Sequence, residues 1–539
     1  MTVSAAAAGV RRNLVLAVPL LAAAAFVQMF AGALPLTDEW NYTHAIRRLH
    51  DVDPYSLSGI AEAIRLYPTR HFEHIVALPF VLYWPAVEWT HFDSRWVIYI
   101  TVAAFAAQAL LFRRSIVRSP WWALPIALLL FCPSHYMEFL WGWQITVALS
   151  VLFPLAGLVI LDGLGATDRW PSQVGRLAAG IGCILLGVFS SAGGYCGFVA
   201  AILLVALKRP DWRAKLAAIG AFGAVAMLVY WHFTRSLDAL TFGRRELMYV
   251  CTALGATLWG SPVGLFEFGL DWRSAAGLAI VACTAAVVGR ALVIHELPRL
   301  ALALSITLFG YLSVVPIAMV RGYLGNWHVQ YALPAVCGAY AAAYVLWTVD
   351  KSAFAAVPFF GLAALLTSCL FGYYLGFTEY GPDFLHYTQS IEEHVLRNLE
   401  EPGLPTPYPA QGENDLDAPL ALFLSAHGHP LFASLAPPGR RAPLPPGARV
   451  FVDATEMTQP LHLAGGKGRV ALLTVVVPGP PAARGVLAKI GDSTLTLRRV
   501  HMQHTPEACR LPGTTSYMGV LVPHLLPRGD HPVELTSFE

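Results

Sequence analysis

Charge is what this sequence has least of. Asp, Glu, Lys and Arg together make up 13% of 539 residues, against roughly 25% in ordinary soluble domains. A soluble chain of this size needs charged surface to stay dispersed, so a wholly soluble enzyme is excluded. The 36 Lys and Arg nearly balance the 34 Asp and Glu, for a net charge of +2. With no basic block, a nucleic-acid binder is excluded as well. Lysine is almost missing, 5 against 31 Arg, a usage that fits a GC-rich bacterial genome. Cysteine is sparse and unpaired in spacing. Seven (Cys132, Cys183, Cys196, Cys251, Cys283, Cys337, Cys369) lie in or beside apolar runs, and Cys509 lies in the tail. That pattern offers neither a disulfide frame nor a zinc site, and it suits small apolar fillers.

What the chain has in abundance is apolar side chain, at 56%. It is concentrated before residue 376, in runs at roughly 13–34, 75–89, 95–113, 120–132, 144–162, 174–190, 192–207, 214–233, 247–267, 273–293, 299–319, 329–348 and 354–375. Runs near ~20 residues span a bilayer. Residues 381–539 differ in texture, with 21 of the 38 prolines and 15 of the 34 acidic residues. The expected class is an all-α polytopic membrane domain with a small β-rich soluble domain after it. The expected division is 1–380 for the membrane domain with a large outer loop at 35–94, 381–446 for a connector, and 447–539 for the β-rich domain. Short β-rich runs punctuated by Gly and Pro suggest a sandwich-like tail.

Basic residues in short loops face the cytoplasm. Arg11-Arg12, Arg113-Arg114-Arg118 and Lys208-Arg209-Arg213-Lys215 fall on one side if segment 75–89, broken by Pro79 and Pro85, lies on the membrane surface. Placing Arg290, His295 and Arg299 on that side requires 247–267 to turn back rather than cross. The count is then about 11 spans, within a range of 11–13. The N-terminus is inside, retained as a first span, and the tail is outside.

On this topology the chemistry-bearing residues gather in outer loops. Asp38 and Glu39 open the first, followed by Trp40 and Tyr42, and it closes with Arg70, His71, Glu73 and His74. Adjacent carboxylates at a membrane boundary are costly unless used or paired. One could be a general base, or Asp38 could cap the next helix with Glu39 in its first turn. The second loop carries His135, Glu138, Trp141, Trp143 and Gln144. Aromatic faces pack on sugar C–H faces while carboxylate and amide take hydroxyls. The competing reading is an interfacial tryptophan belt. Arg321 opens the third loop, where it could hold a phosphate bidentately or snorkel at a span end. No metal and no cofactor are expected.

A first span, an acidic pair opening a long loop, a helix of type Leu78-Pro79-Phe80-Val81-Leu82-Tyr83-Trp84 and then Arg95 resemble the GT-C class of membrane glycosyltransferases. The layout is similar to the protein O-mannosyltransferases and the aminoarabinose transferases of lipid A. The likeness covers roughly residues 10–375, and its specific part is 36–96. It implies a polyprenyl-phosphate sugar as donor, a glycan, lipid or protein as acceptor, direct inversion, and Asp38 as catalytic carboxylate with Glu39 beside it. The family's Lys-Pro-Pro-Leu element is absent. Arg70 to His74 stand there instead, so Arg70 or His74 would join Arg321 on the phosphate. Trp40, Tyr42, His71, Glu73, His135, Glu138, Trp141 and Gln144 would contact sugar or acceptor. The implied location is the plasma membrane, the inner membrane of a bacterium, with the C-terminal domain extracytoplasmic. A transporter or flippase would place charges at mid-span, and a polymerase or ligase would carry its large loop later in the chain.

Overall fold

The computed structural model describes residues 14–36, 38–50, 70–71, 74–164, 170–208, 215, 219–227, 243–261, 265, 267–400, 424, 426–427, 429–433, 441–444, 447–457, 468–478, 485–490, 493–500, 514–521 and 533–538. They form two compact units. The first comprises Met1–Ala31, Leu49–Pro85 and Arg95–Gly381, and the second Gly32–Arg48, Ala86–Ser94 and Pro382–Glu539.

The first unit is an all-α membrane domain. Its helices are α1 (Ala17–Phe30), α2 (Ala77–Trp89, which runs on past Pro85), α3 (Arg95–Ser115), α4 (Pro120–Leu130), α5 (Tyr136–Leu140), α6 (Ile145–Asp162), α7 (Trp170–Val188), α8 (Cys196–Lys208), α9 (Arg244–Trp259), α10 (Trp272–Val293), α11 (Leu297–Val320), α12 (Val329–Val349), α13 (Ala353–Thr367) and α14 (Cys369–Leu375). Among the described residues six helical stretches are long and apolar enough to cross a membrane: Arg95–Ser115, Gly142–Asp162, Trp272–Val293, Leu297–Val320, Asn326–Val349 and Ala353–Gln389. At 1.5 Å per residue, α3 is about 32 Å long, a bilayer's apolar thickness. Its ends are set by Arg95 and by Arg113-Arg114.

The seam of α11 and α12 is made by glycine: a Cβ at Gly310 would lie 2.1 Å from the Ala335 nitrogen, and one at Gly338 would lie 2.6 Å from the Thr307 nitrogen. No other residue lets two backbones come that close. α12 is the central post, buried along nearly its whole length. Two ion pairs stand at one end of the bundle, Arg290 with Asp350 at 2.7 Å and Lys208 with Asp162. The Tyr340 hydroxyl donates to the Trp122 carbonyl (2.8 Å), and Trp122 packs against Trp347. That brings the turn after Arg118 to the same end.

α9 has only 16 residues. Near its start Arg245 donates to the Gly322 carbonyl (2.7 Å), and near its end the Thr257 carbonyl accepts from His135 (2.7 Å). Both ends thus meet loops at the opposite end of the bundle. Gly260, at φ +80, turns the chain away after it. Asp271 then caps α10 by accepting from the Ser274 amide (2.7 Å).

The second unit differs from the expected division. It takes in 32–48 and 86–94, which the sequence assigned to the membrane domain's loop. The reason is an amphipathic helix, α15 by position in this unit (Glu39–His50), whose Trp40, Tyr42, Ile46 and Leu49 are buried. The Ser94 amide donates to the Ala33 carbonyl (2.9 Å), which the His429 ring also meets at 3.2 Å. His91 meets the His427 carbonyl at 3.1 Å. The expected connector also begins as a helix, α16 (Gly381–Glu400), because Phe384, Tyr387, Thr388 and Glu392 form a buried stripe. Beyond it, β3 to β9 (Arg441–Pro443, Arg449–Met457, Gly468–Pro478, Gly485–Ile490, Ser493–Val500, Thr514–Leu521, Val533–Phe538) form one antiparallel sheet in the order β3-β9-β6-β7-β8-β5-β4. They share one sheet where a sandwich would need two facing ones. The hairpin β1–β2 (Arg70–His71, His74–Ile75) is separate and belongs to the first unit.

Candidate functional site

The site is built on the segment between α4 and α6. Pro133 follows the end of α4, α5 lasts only five residues, and Trp141 is extended before a single 3-10 turn (Gly142–Gln144) leads into α6. A surface loop would be wet, yet residues 131–151 are all buried. The segment reaches into the bundle, where Phe139 packs on Phe105, midway along α3 (ring centroids 5.4 Å apart). Trp141 and Trp143 are buried with it. They therefore form no interfacial belt, the competing reading of these tryptophans.

Asn326 holds this segment in place. Its Nδ2 donates to the Ser134 carbonyl (3.1 Å) and the Ser261 carbonyl (3.0 Å), and its Oδ1 accepts from the Met137 amide (3.3 Å). One side chain thus ties together three loops far apart in sequence. Trp141 meets Trp327 edge-on at 6.0 Å. Beside them the His328 Nδ1 accepts from the Gly325 amide (3.1 Å) and from the Tyr249 hydroxyl (3.0 Å), while Tyr323 stacks on its ring. Nδ1 is therefore the acceptor nitrogen of that imidazole. The Ser191 and Tyr331 hydroxyls are 2.7 Å apart and bring in the turn before α8.

Four side chains in this assembly are fully buried and leave polar atoms without a partner. They are Glu138 (both carboxyl oxygens), Gln144 and Gln330 (both amide atoms each) and His135 (Nδ1). Such groups are rare, because each unmade buried hydrogen bond costs about 1–3 kcal/mol. Burial pushes the Glu138 carboxyl well above the usual range. Burial also lowers His135 to about 4, although its bond to the Thr257 carbonyl opposes this. Burial thus disfavours the charged form of both.

The other expected residues fall elsewhere. Asp38, Glu39, Trp40 and Tyr42 belong to the second unit. There the Glu39 carboxylate accepts from the Leu36 amide (3.0 Å) and its carbonyl from the Thr43 hydroxyl (3.1 Å), which locks the first turn of α15. Asp38 is half-buried just before that helix, and its carbonyl accepts from the Asn41 amide. Arg70, His71 and His74 lie on the β1–β2 hairpin, with His71 and His74 opposed in register. Glu73 lies outside the described residues. Arg321 ends α11, its amide donating to the Ile317 carbonyl. Sequence alone leaves Arg245 unmarked, yet it reaches Gly322 next to Arg321 and covers the Phe268 ring. Its only advance signal is the helix start Gly243-Arg244-Arg245-Glu246. Among the described residues no group of three His, Cys, Asp or Glu could hold a metal ion.

Compared with protein-family models, curated proteins and solved structures, the chain matches none.

Proposed function

We propose that the protein is an integral membrane glycosyltransferase that moves a sugar from a polyprenyl-phosphate donor to an acceptor on the outer face of the membrane. The observation that carries this reading is Glu138, a fully buried carboxyl without a partner on a segment that also carries buried tryptophans and the unpartnered Gln144 amide. Aromatic faces with a few convergent polar groups are the usual wall of a sugar site. The basic end of the bundle faces the cytoplasm, which puts the loops around Asn326 outside. α9, held at both ends by those loops, turns back without crossing, and the total is about 11 spans with the β-rich domain outside.

Asp38 is the general base by family resemblance, with Glu39 serving the fold of the turn beside it. It would take the acceptor hydroxyl's proton as that oxygen attacks the anomeric carbon and the polyprenyl phosphate leaves. Arg321 and Arg245 stand near enough to Tyr249 for their charges to act on it, and they are suited to phosphate oxygens. The full chain in lipid nanodiscs is incubated with radiolabelled polyprenyl-phosphate sugars. Wild type releases or transfers label, and Asp38→Asn abolishes this while expression survives. Normal turnover in Asp38→Asn would sink the assignment of the base.

One observation favours a second reading, transport of a lipid-linked glycan: the segment carrying Glu138 reaches the middle of α3. Buried ionisable groups at that depth also serve translocation. In sealed proteoliposomes, label that crosses the bilayer unaltered would select that reading.

A further inference from the structure

We propose that Glu138 works as a neutral carboxylic acid and, with Gln144 and Gln330, recognises an uncharged sugar. This rests on the transferase reading above and names its substrate class. Glu138 and Gln144 flank Trp141 within one buried segment. Gln330 follows Asn326 by one helical turn, and Asn326 bonds the Met137 amide and the Ser134 carbonyl on that same segment. All three side chains have zero exposure and leave their terminal atoms without partners.

Among the described residues no ion pair or hydrogen bond reaches the Glu138 carboxyl. Among the described residues the elements packed most extensively against α5 are α1, α3 and the turns 142–144 and 326–328. Their charged or titratable residues are Arg95, Tyr99, Arg113, Arg114 and His328. Phe105 marks the level of α5 on α3. That puts Arg95 and Arg113 about 15 and 12 Å away along the helix. His328 is committed through Nδ1 to Gly325 and Tyr249, and His135, on the same segment, donates to Thr257. Among the described residues an ionised carboxylate here would have neither counter-ion nor donor, which favours the protonated acid.

A protonated acid donates one hydrogen bond and accepts others, and a primary amide does both. Three such groups complement hydroxyls, each of which is donor and acceptor in turn. A charged sugar would have to leave water for a site with no counter-ion among the described residues, a cost these uncharged groups do not offset.

The test is infrared difference spectroscopy on the full chain in nanodiscs at neutral pH. Wild type minus Glu138→Gln is expected to show the C=O stretch of a protonated carboxyl. That band should move when a polyprenyl-phosphate hexose is added, and stay put with the matching uronic acid or amino sugar. Glu138→Ala should lower transfer of the neutral sugar at least tenfold, with Glu138→Gln recovering most of the loss. If Glu138→Gln fails to fold, the band is followed in wild type alone as each sugar is added. A carboxylate signature, or a band moved only by a charged sugar, overturns the proposal and leaves the transferase reading standing. A band that moves with neutral sugar while no donor supports transfer keeps the recognition and sinks the transferase.

Discussion

Asn326→Ala is the sharpest test of how the candidate site is held. Asn326 is fully buried and makes three hydrogen bonds, to Ser134, Ser261 and Met137. Each buried bond contributes about 1 kcal/mol net, and each backbone group it leaves dry costs about 1–3 kcal/mol. Backbone carbonyls can relax toward other donors, so the lower half of that range applies, and the loss comes to about 3–5 kcal/mol. Native proteins hold only about 5–15 kcal/mol in total. The assay is thermal unfolding of the full chain in detergent, followed by tryptophan emission. At ~2 °C per kcal/mol for a large chain, the midpoint should fall by ~6–10 °C. Trp141 and Trp327 sit beside the lost bonds, so emission should shift to the red before the main transition. Asn326→Asp should be worse than Ala. It keeps an acceptor for Met137 but sets carboxylate oxygens against the Ser134 and Ser261 carbonyls. A midpoint within about 0.5 kcal/mol of wild type for Asn326→Ala, or an Asp variant milder than Ala, would refute the reasoning.

Two glycines of α10 should respond oppositely to the same change. A Cβ at Gly277 would lie 1.8 Å from the Cys251 carbonyl oxygen, where 3.4 Å or more is ordinary contact. Gly277→Ala must therefore part α9 and α10 by about 1.5 Å and destabilise by about 1–3 kcal/mol. Gly289 has nothing within 4 Å, so Gly289→Ala should be neutral or stabilising by up to about 1 kcal/mol; paired melting curves compare the two. Asp350 is held down to about 2 by Arg290, and after it by the Ser352 hydroxyl and amide. A carboxyl lower in the folded than in the unfolded chain stabilises above the unfolded value, near 3.8, and that contribution is lost as pH falls through about 2. The gap in melting temperature between wild type and Asp350→Asn should stay constant above pH 4.5 and shrink steadily below it. A gap independent of pH would contradict the ion pair.

Much of the membrane domain was legible because a bilayer leaves few choices. Apolar runs of about twenty residues become helices, and Arg95, Arg113 and Arg114 end one where the apolar run stops. Strands such as Gly485–Ile490 and Ser493–Val500 were legible from Gly and Pro punctuation and β-branched content. Two things were not. The stretch 32–48 looked like part of an outer loop, because chain that meets it, such as the His429 ring at the Ala33 carbonyl, lies 396 residues away. Residues 133–144 looked like a wet loop, because polar and aromatic residues next to a span suit the interface and a deep knot equally well.

The sequence by itself determined that this is a polytopic membrane protein, where its helices run and which of its residues could carry chemistry. Those properties follow from local composition and from a solvent that forbids unpaired backbone. Tertiary structure alone decided which polar residues meet. It made Asn326 the tie of three loops. It also buried Glu138 with no counter-ion among the described residues. Burial and pairing depend on segments remote in sequence, and they set whether a carboxyl is charged, a fact no run of adjacent letters contains.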